Sequence, residues 1–451
     1  MGMNVTRRSA GFAVLAALSL ILGSTSSARA QAAAQDAGAA KQAYTVPEYN
    51  AYQACAGDKN PASQIKCLDD FVSKYSNSAL LVYVYPLYFQ AYGAAKNYPK
   101  VIEYADKLIA LGDKVEAPAR YQAYYARAFA YTNLPAPQQV DKDQATKAHE
   151  AALNGLKTLA ALKKPDNMSD EDWNKQKQQP TTLFNYTAAV AAMNMKDCAS
   201  AVESYKAVLA GTPDDAVASY RLGQAYMCTN PPQEMDAFWA FARAVTAKNA
   251  NQQQSTKVKD YLRKLIVNYQ QAACDNLTDA ELSELLQLAS SSAERPASYK
   301  LPSSADLDAV RKDMTIASVV ADLKVGGDKA KVTWLAACGL EFPDVPGKLI
   351  EVTPGPGAVV LKLAFVTSQA EFDATTTANM EVKVVGQPGA ERLEKGTAPR
   401  FTGTLVSYDP EPAFMLHWDK AKVNEEDIPK EKEKAAPKKP VRRPAPKKPA
   451  A

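Results

Sequence analysis

Residues 197–228 read DCASAVESYKAVLAGTPDDAVASYRLGQAYMC. Ala201, Tyr205 and Val208 fall on one face of a helix, at the spacing that marks an amphipathic helix. Pro213 in the GTPDD segment ends that helix, and Asp214 and Asp215 suit the start of another. The second helix carries Tyr220, Leu222, Gly223 and Tyr226. After the turn CTNPPQEM, Ala237, Phe241 and Ala244 repeat the i, i+4, i+7 set begun at Ala201. Two helices and a turn that recur after about 34 residues are the signature of a helical-hairpin repeat. The stretch has no histidine and no glycine-rich phosphate loop, and its two cysteines lie near opposite ends.

The pattern continues upstream. EYNAYQACAGDKNPASQIKCLDDFVSKYSNS places Cys55, Cys67 and Phe71 in the small, small and aromatic positions. LVYVYPLYFQAYGAAKNYPKVIEYADKLIAL reads as a second hairpin. ARYQAYYARAFAYTNL with DQATKAHEAALNGLKTLAAL reads as a third, followed by a polar insertion around KKPDNMSDEDWNKQKQQP. Five hairpins are therefore expected from Pro47 to Asn249, with QSTKVKDYLRKLIVNYQQ and TDAELSELLQLASS as capping helices. On Leu222-Gly223, Tyr226, Ala237, Phe241 and Ala244 in one unit, and Ala189, Ala201, Tyr205 and Pro213 in the preceding one, the chain resembles the tetratricopeptide-repeat (TPR) family. It departs from that pattern at Val208, where the family prefers alanine, and by two extra residues around Pro231-Pro232. Small residues let the helices of a hairpin approach, and the aromatic fills the next gap.

The resemblance implies roles for the cysteines and tyrosines. Cys55 and Cys67 occupy small positions that face each other across a hairpin. Cys198 and Cys228 sit at stacking edges of neighbouring repeats, and Cys274 and Cys338 remain as a third pair by elimination. Disulfides and buried free thiols both fit these positions; export favours disulfides. A tyrosine lies three residues before the small position in four hairpins: Tyr52, Tyr125, Tyr186 and Tyr220. In the family this position looks toward the concave, peptide-binding face, where Met193, Gln224 and Met227 would join it. Packing against the neighbouring hairpin is the alternative for each tyrosine.

The ends carry other signals. MGMNVTRR, the apolar run GFAVLAALSLILG and the Ala28-Arg29-Ala30 site form a secretory leader over residues 1–30. The expected mature protein has no membrane span and is periplasmic or secreted after cleavage near Ala30. Removing Arg7, Arg8 and Arg29 takes the net charge from +4 to +1. The tail from Pro429 holds nine Lys/Arg and two Glu, so it carries +7 and leaves −6 on residues 31–428. A mildly acidic body argues against a domain-wide nucleic-acid footprint. The proline-rich, basic tail is expected to be disordered, serving either as a solubilising segment or as a contact to an anionic envelope polymer or nucleic acid.

Composition shifts near Pro296. SADLDAVRKDMTIASVVADLKV reads as a helical lead-in. GKLIEVTP, AVVLKLAFV, MEVKVVG, FTGTLVSYDP and FMLHWDKAKV read as strands, with GAERLEKG as a short helix or turn between the third and fourth. That order resembles an OB-fold barrel. Phe401, Tyr408, Phe414 and Trp418 belong either to its core or to a ligand platform.

The expected organisation is multidomain. After the leader come a linker (31–44), an all-α, TPR-like helical solenoid (45–250), capping helices (251–292), a small mainly-β, OB-like domain (300–428) and the tail (429–451). No C-x-x-C occurs, and neither His149 nor His417 is near a cysteine in sequence, so no metal or cofactor is expected. No nucleophile–base set points to an enzyme. The expected function is an exported scaffold that binds a protein or peptide on the concave face of the solenoid. The alternative is an envelope binding module whose OB-like domain holds a glycan or nucleic acid.

Overall fold

A computed structural model describes residues 43–274 and 277–430. The expected leader with its cleavage site, the linker as far as residue 42 and the tail from residue 431 lie outside the described residues. The described chain forms two compact units, residues 43–264 with 282–300, and residues 265–281 with 301–430.

The first unit is a run of antiparallel helix pairs. α1 (Val46–Gly57) and α2 (Pro61–Lys74) form the first pair, and α3 (Leu81–Ala94) and α4 (Tyr98–Ala110) the second. α5 (Ala117–Thr132) and α7 (Lys142–Ala161) form the third, with the one-turn α6 (Ala136–Gln139) between them. α8 (Asp170–Met195) pairs with α9 (Cys198–Gly211), and α10 (Ala216–Cys228) with α11 (Glu234–Thr246). Apart from α6, each helix packs on its predecessor and its successor, giving a helical solenoid of the expected five hairpins. α12 (Gln252–Gln270) and α13 (Thr278–Ser291) follow, and the division between the two units falls within both.

Local chemistry sets the hairpin ends. Asn60, Asn97, Asp141, Ser169, Asp197 and Asp215 each cap a helix N-terminus through a side-chain oxygen. Two turns far apart in sequence are built alike. Lys96 (φ 55°) and Lys196 (φ 63°) take the left-handed conformation just before the capping Asn97 and Asp197. Asn97 N donates to Tyr92 O, and Asp197 N to Ala192 O, each at 2.9 Å. The same geometry closing two hairpins is structural evidence of a repeat.

Packing follows the small-and-aromatic rule. Gly223 of α10 faces the fully buried ring of Phe241 in α11; a Cβ there would come within 2.7 Å of two ring carbons. Gly155 of α7 faces Phe184 of α8 in the same way. Arg127, buried in α5, donates to Asp106 of α4 at 2.6 Å and to Gln144 of α7 at 3.4 Å, tying two hairpins together. One expectation is extended. The polar insertion after the third hairpin contributes to α8, which begins at Asp170 and continues through Pro180.

The second unit holds α14 (Ser304–Lys312), α15 (Ile316–Val325) and α16 (Gly327–Ala337) ahead of a six-stranded mixed sheet. Its strands are β1 (Glu341–Pro346), β2 (Lys348–Gly355), β3 (Ala358–Ala364), β4 (Met380–Val385), β5 (Arg400–Asp409) and β6 (Met415–Val423). α17 (Gln369–Ala374) lies between β3 and β4, and a 3₁₀ turn at Pro388–Arg392 stands where a short helix or turn was expected. The order is β1-β5-β6-β4-β3-β2, with β4 and β6 parallel and the other neighbours antiparallel. The five expected strands are β2 to β6. Leu349 of β2 exchanges two 2.8 Å backbone bonds with Gly396 and Thr397 at the approach to β5. These bonds bring the first expected strand back toward the fourth, as a partly open barrel requires. Phe401 and Trp418 are buried in the core with Trp334 of α16, while Tyr408 and Phe414 pack half-buried at its margin. Core packing therefore accounts for Phe401 and Trp418.

All six cysteines are paired as expected: Cys55 with Cys67, Cys198 with Cys228, and Cys274 with Cys338. Their Cα atoms lie 5.4, 5.6 and 5.8 Å apart, within the range a disulfide spans. The first pair bridges one hairpin, the second joins consecutive hairpins, and the third lies within the β-containing unit. Among the described residues no helix is long and apolar enough to cross a membrane.

Candidate functional site

The tyrosines three residues ahead of the small positions have different environments. Tyr52 is buried in the core of the first two hairpins, its ring 6.1 Å from Tyr83 and 6.5 Å from Tyr49. Tyr125 is 5% exposed, with its ring edge-on to Phe184 at 6.1 Å. Burial pushes its hydroxyl pKa up to about 12, because an apolar surrounding disfavours the phenolate. These two rings have little surface left to offer a partner.

Tyr186 and Tyr220 differ. Both are half-buried, Tyr186 edge-on to Tyr205 at 6.1 Å and Tyr220 tilted on Phe241 at 5.6 Å. Met193 follows Tyr186 by two turns on α8. Gln224 and Met227 follow Tyr220 on α10, and all three are half-buried. Gln224 is held from both ends. Its amide nitrogen donates to the Tyr220 hydroxyl at 3.3 Å, and its carbonyl accepts from Arg221 at 3.3 Å. Burial raises the Tyr220 hydroxyl above the usual tyrosine range, with Tyr261 adding to that and Arg221 opposing it. These side chains lie on the first helices of the fourth and fifth hairpins. They offer two aromatic faces, two thioethers, an amide and a guanidinium.

Such a set of side chains is suited to binding. Tyrosine and methionine offer apolar area at low entropic cost, while Gln224 and Arg221 supply directional donors. Sequence spacing identified five of these residues and missed Arg221, whose signal is visible only once its bond to Gln224 is known.

Other aromatic groups are structural. Tyr88 and Tyr104 stack at 3.8 Å, and the Tyr88 hydroxyl donates to Asp69 at 2.7 Å. In the β-containing unit, His417 lies between two carboxylates, with Nε2 2.8 Å from Asp409 and Nδ1 3.3 Å from Glu381. His149 is half-buried on α7. Among the described residues no group of three or more His, Cys, Asp or Glu is placed to hold a metal ion.

No protein-family model matches the chain. No curated protein is significantly similar to it.

Proposed function

We propose that this chain is an exported TPR-like scaffold that docks a protein or peptide partner on the stripe Tyr186, Met193, Tyr220, Gln224 and Met227. The observation that carries the reading is the contrast in burial: Tyr52 and Tyr125 are consumed by packing, whereas the equivalent residues of the fourth and fifth hairpins keep exposed surface. A rigid stack of hairpins holds such side chains in fixed register, so little ordering entropy opposes binding. Three cysteine pairs support a location outside the cytoplasm. The basic tail supports attachment to an anionic envelope polymer.

The test is affinity purification of the full chain from the envelope of the cell that makes it. A Tyr186→Ala, Tyr220→Ala, Met227→Ala triple variant is compared with wild type. The expected result is loss of co-purifying protein by at least ~10-fold, with the helical circular-dichroism signal unchanged. Full retention of the same partners by the triple variant defeats the assignment to this stripe.

A further inference from the structure

A second recess lies on another side of the fifth hairpin. It is a cavity of about 490 Å³, lined by α9, α10, α11 and the segment that follows α13. On α10 it takes Ser219, Leu222 and Tyr226, which the helical period turns well away from Tyr220, Gln224 and Met227. Leu209, Leu222 and Trp239 supply apolar surface; Lys206, Arg243 and Arg295 supply three positive charges against the two negative charges of Asp236 and Glu294.

The cations are not equivalent. Arg295 is paired with Asp236 at 3.0 Å, and Lys206 with Glu203 at 3.2 Å. Arg243 is held by neutral acceptors. One terminal nitrogen donates to the carbonyls of Ala289 and Ser292, each at 3.2 Å, and the other to Pro213 O at 2.7 Å. Among the described residues it meets no carboxylate. Its charge is fixed in position, half-buried and without a counter-ion beside apolar walls. Ser219, buried in the lining, has a hydroxyl with no hydrogen-bond partner among the described residues. Trp239 is anchored by its indole nitrogen, which donates to Ala293 O at 3.4 Å.

We infer that this cavity is a binding site for a small amphipathic carboxylate, its apolar body against Leu209, Leu222 and Trp239 and its carboxylate at Arg243. The volume lies within the range of pockets that enclose drug-sized ligands, roughly 300–1,000 Å³. A guanidinium already held by backbone carbonyls loses little freedom when it pairs with a carboxylate. A neutral ligand of the same shape would leave that charge uncompensated; a cationic one would be repelled. The site is independent of the docking stripe.

Isothermal titration of the full chain with 1-naphthoate, and with the neutral 1-naphthalenemethanol of similar shape, tests the inference. One saturable naphthoate site per chain is expected, with the alcohol at least ~10-fold weaker. Leu209→Trp, which fills the cavity from a half-buried position, abolishes naphthoate binding. Arg243→Met removes the preference for acid over alcohol. Because Arg243→Met also removes three bonds to the backbone, undiminished alcohol binding by that variant verifies that its cavity is intact. Lys206→Met, at an exposed position and already paired with Glu203, changes the affinity of neither ligand. Absence of saturable naphthoate binding, equal affinity for acid and alcohol, or undiminished binding in a folded Leu209→Trp chain each overturn the inference.

Discussion

Replacing Gly223 with alanine probes the packing rule on which the helical unit is built. In an isolated helix the change is favourable by about 1 kcal/mol, since glycine carries an entropic cost that alanine lacks. Here the new methyl would lie 2.7 Å from Cδ1 and Cε1 of Phe241 and 2.9 Å from Cζ. That ring is fully buried and contacts Tyr220 and Tyr261, so it has nowhere to retreat. Overpacking of this kind costs about 1–3 kcal/mol. With three ring carbons within 3.0 Å the steric cost falls in the upper part of that range, about 2–3 kcal/mol, so Gly223→Ala is expected to destabilise the helical unit by a net of about 1–2 kcal/mol. Shortening the ring relieves the clash. In a Phe241→Leu background the same alanine becomes neutral or stabilising, which gives a coupling energy of about 1–2 kcal/mol in a double-mutant cycle. The assay is urea unfolding followed by far-ultraviolet circular dichroism, with all disulfides intact in the four chains. An alanine variant as stable as wild type, or additive effects of the two substitutions, would refute the close approach of α10 and α11 through this glycine.

Lys196→Gly is expected to stabilise the α8–α9 turn by about 0.5–1 kcal/mol, because Lys196 holds φ 63° at an exposed position; unchanged or reduced resistance to urea would contradict the left-handed turn. Alkaline unfolding tests Tyr125, whose folded pKa of about 12 lies above the ordinary tyrosine value near 10. Its contribution is complete below pH ~10 and lost as pH rises toward 12, a change of about 2–3 kcal/mol. Tyr125→Phe should flatten the fall in stability over that interval by the same amount, as read from denaturation midpoints at several pH values. Mass spectrometry of the full chain should find no free thiol without reductant and six with it. Cys274→Ser/Cys338→Ser should remove about 2–4 kcal/mol from the β-containing unit, since that bridge closes the longest loop, 64 residues. Detection of free thiols at those positions in the unreduced chain would sink this assignment.

What sequence could foretell depended on how local each signal was. The hairpins were legible because Ala201, Tyr205, Ala237 and Phe241 recur at fixed spacing, and one helix face must bury what the next presents. The first two cysteine pairs were legible once the hairpins were, since their positions follow from packing within and between hairpins; Cys274 and Cys338 had no such signal and were paired by elimination. The five strands were legible from alternation and turn residues; the parallel β4–β6 pairing was not read from them. Other elements were hidden by misleading punctuation. Gly326-Gly327 is a true break, both residues taking positive φ where α15 ends, but it hid α16, which starts at once behind it. β1 contains Pro343 and Pro346, which argue against a strand, and it survives as an edge that pairs on one side only. The carboxylate cavity had no local signal at all, because Lys206, Leu222, Trp239 and Arg295 come from four separate segments. The division into packed and open tyrosines was equally hidden: Tyr125 and Tyr186 occupy the same sequence position, but Tyr125 meets Phe184 of the next hairpin, whereas Tyr186 meets Tyr205 of its own.

Site-specific photocrosslinking in the intact producing cell tests the docking claim most directly. A benzophenone side chain is placed at Met193 or Met227 on the stripe, or at Lys383 on the strand β4 of the other unit. The scaffold account predicts the same protein adduct from positions 193 and 227 and none from 383. Adducts confined to position 383 would move the interaction to the β-containing unit and contradict it.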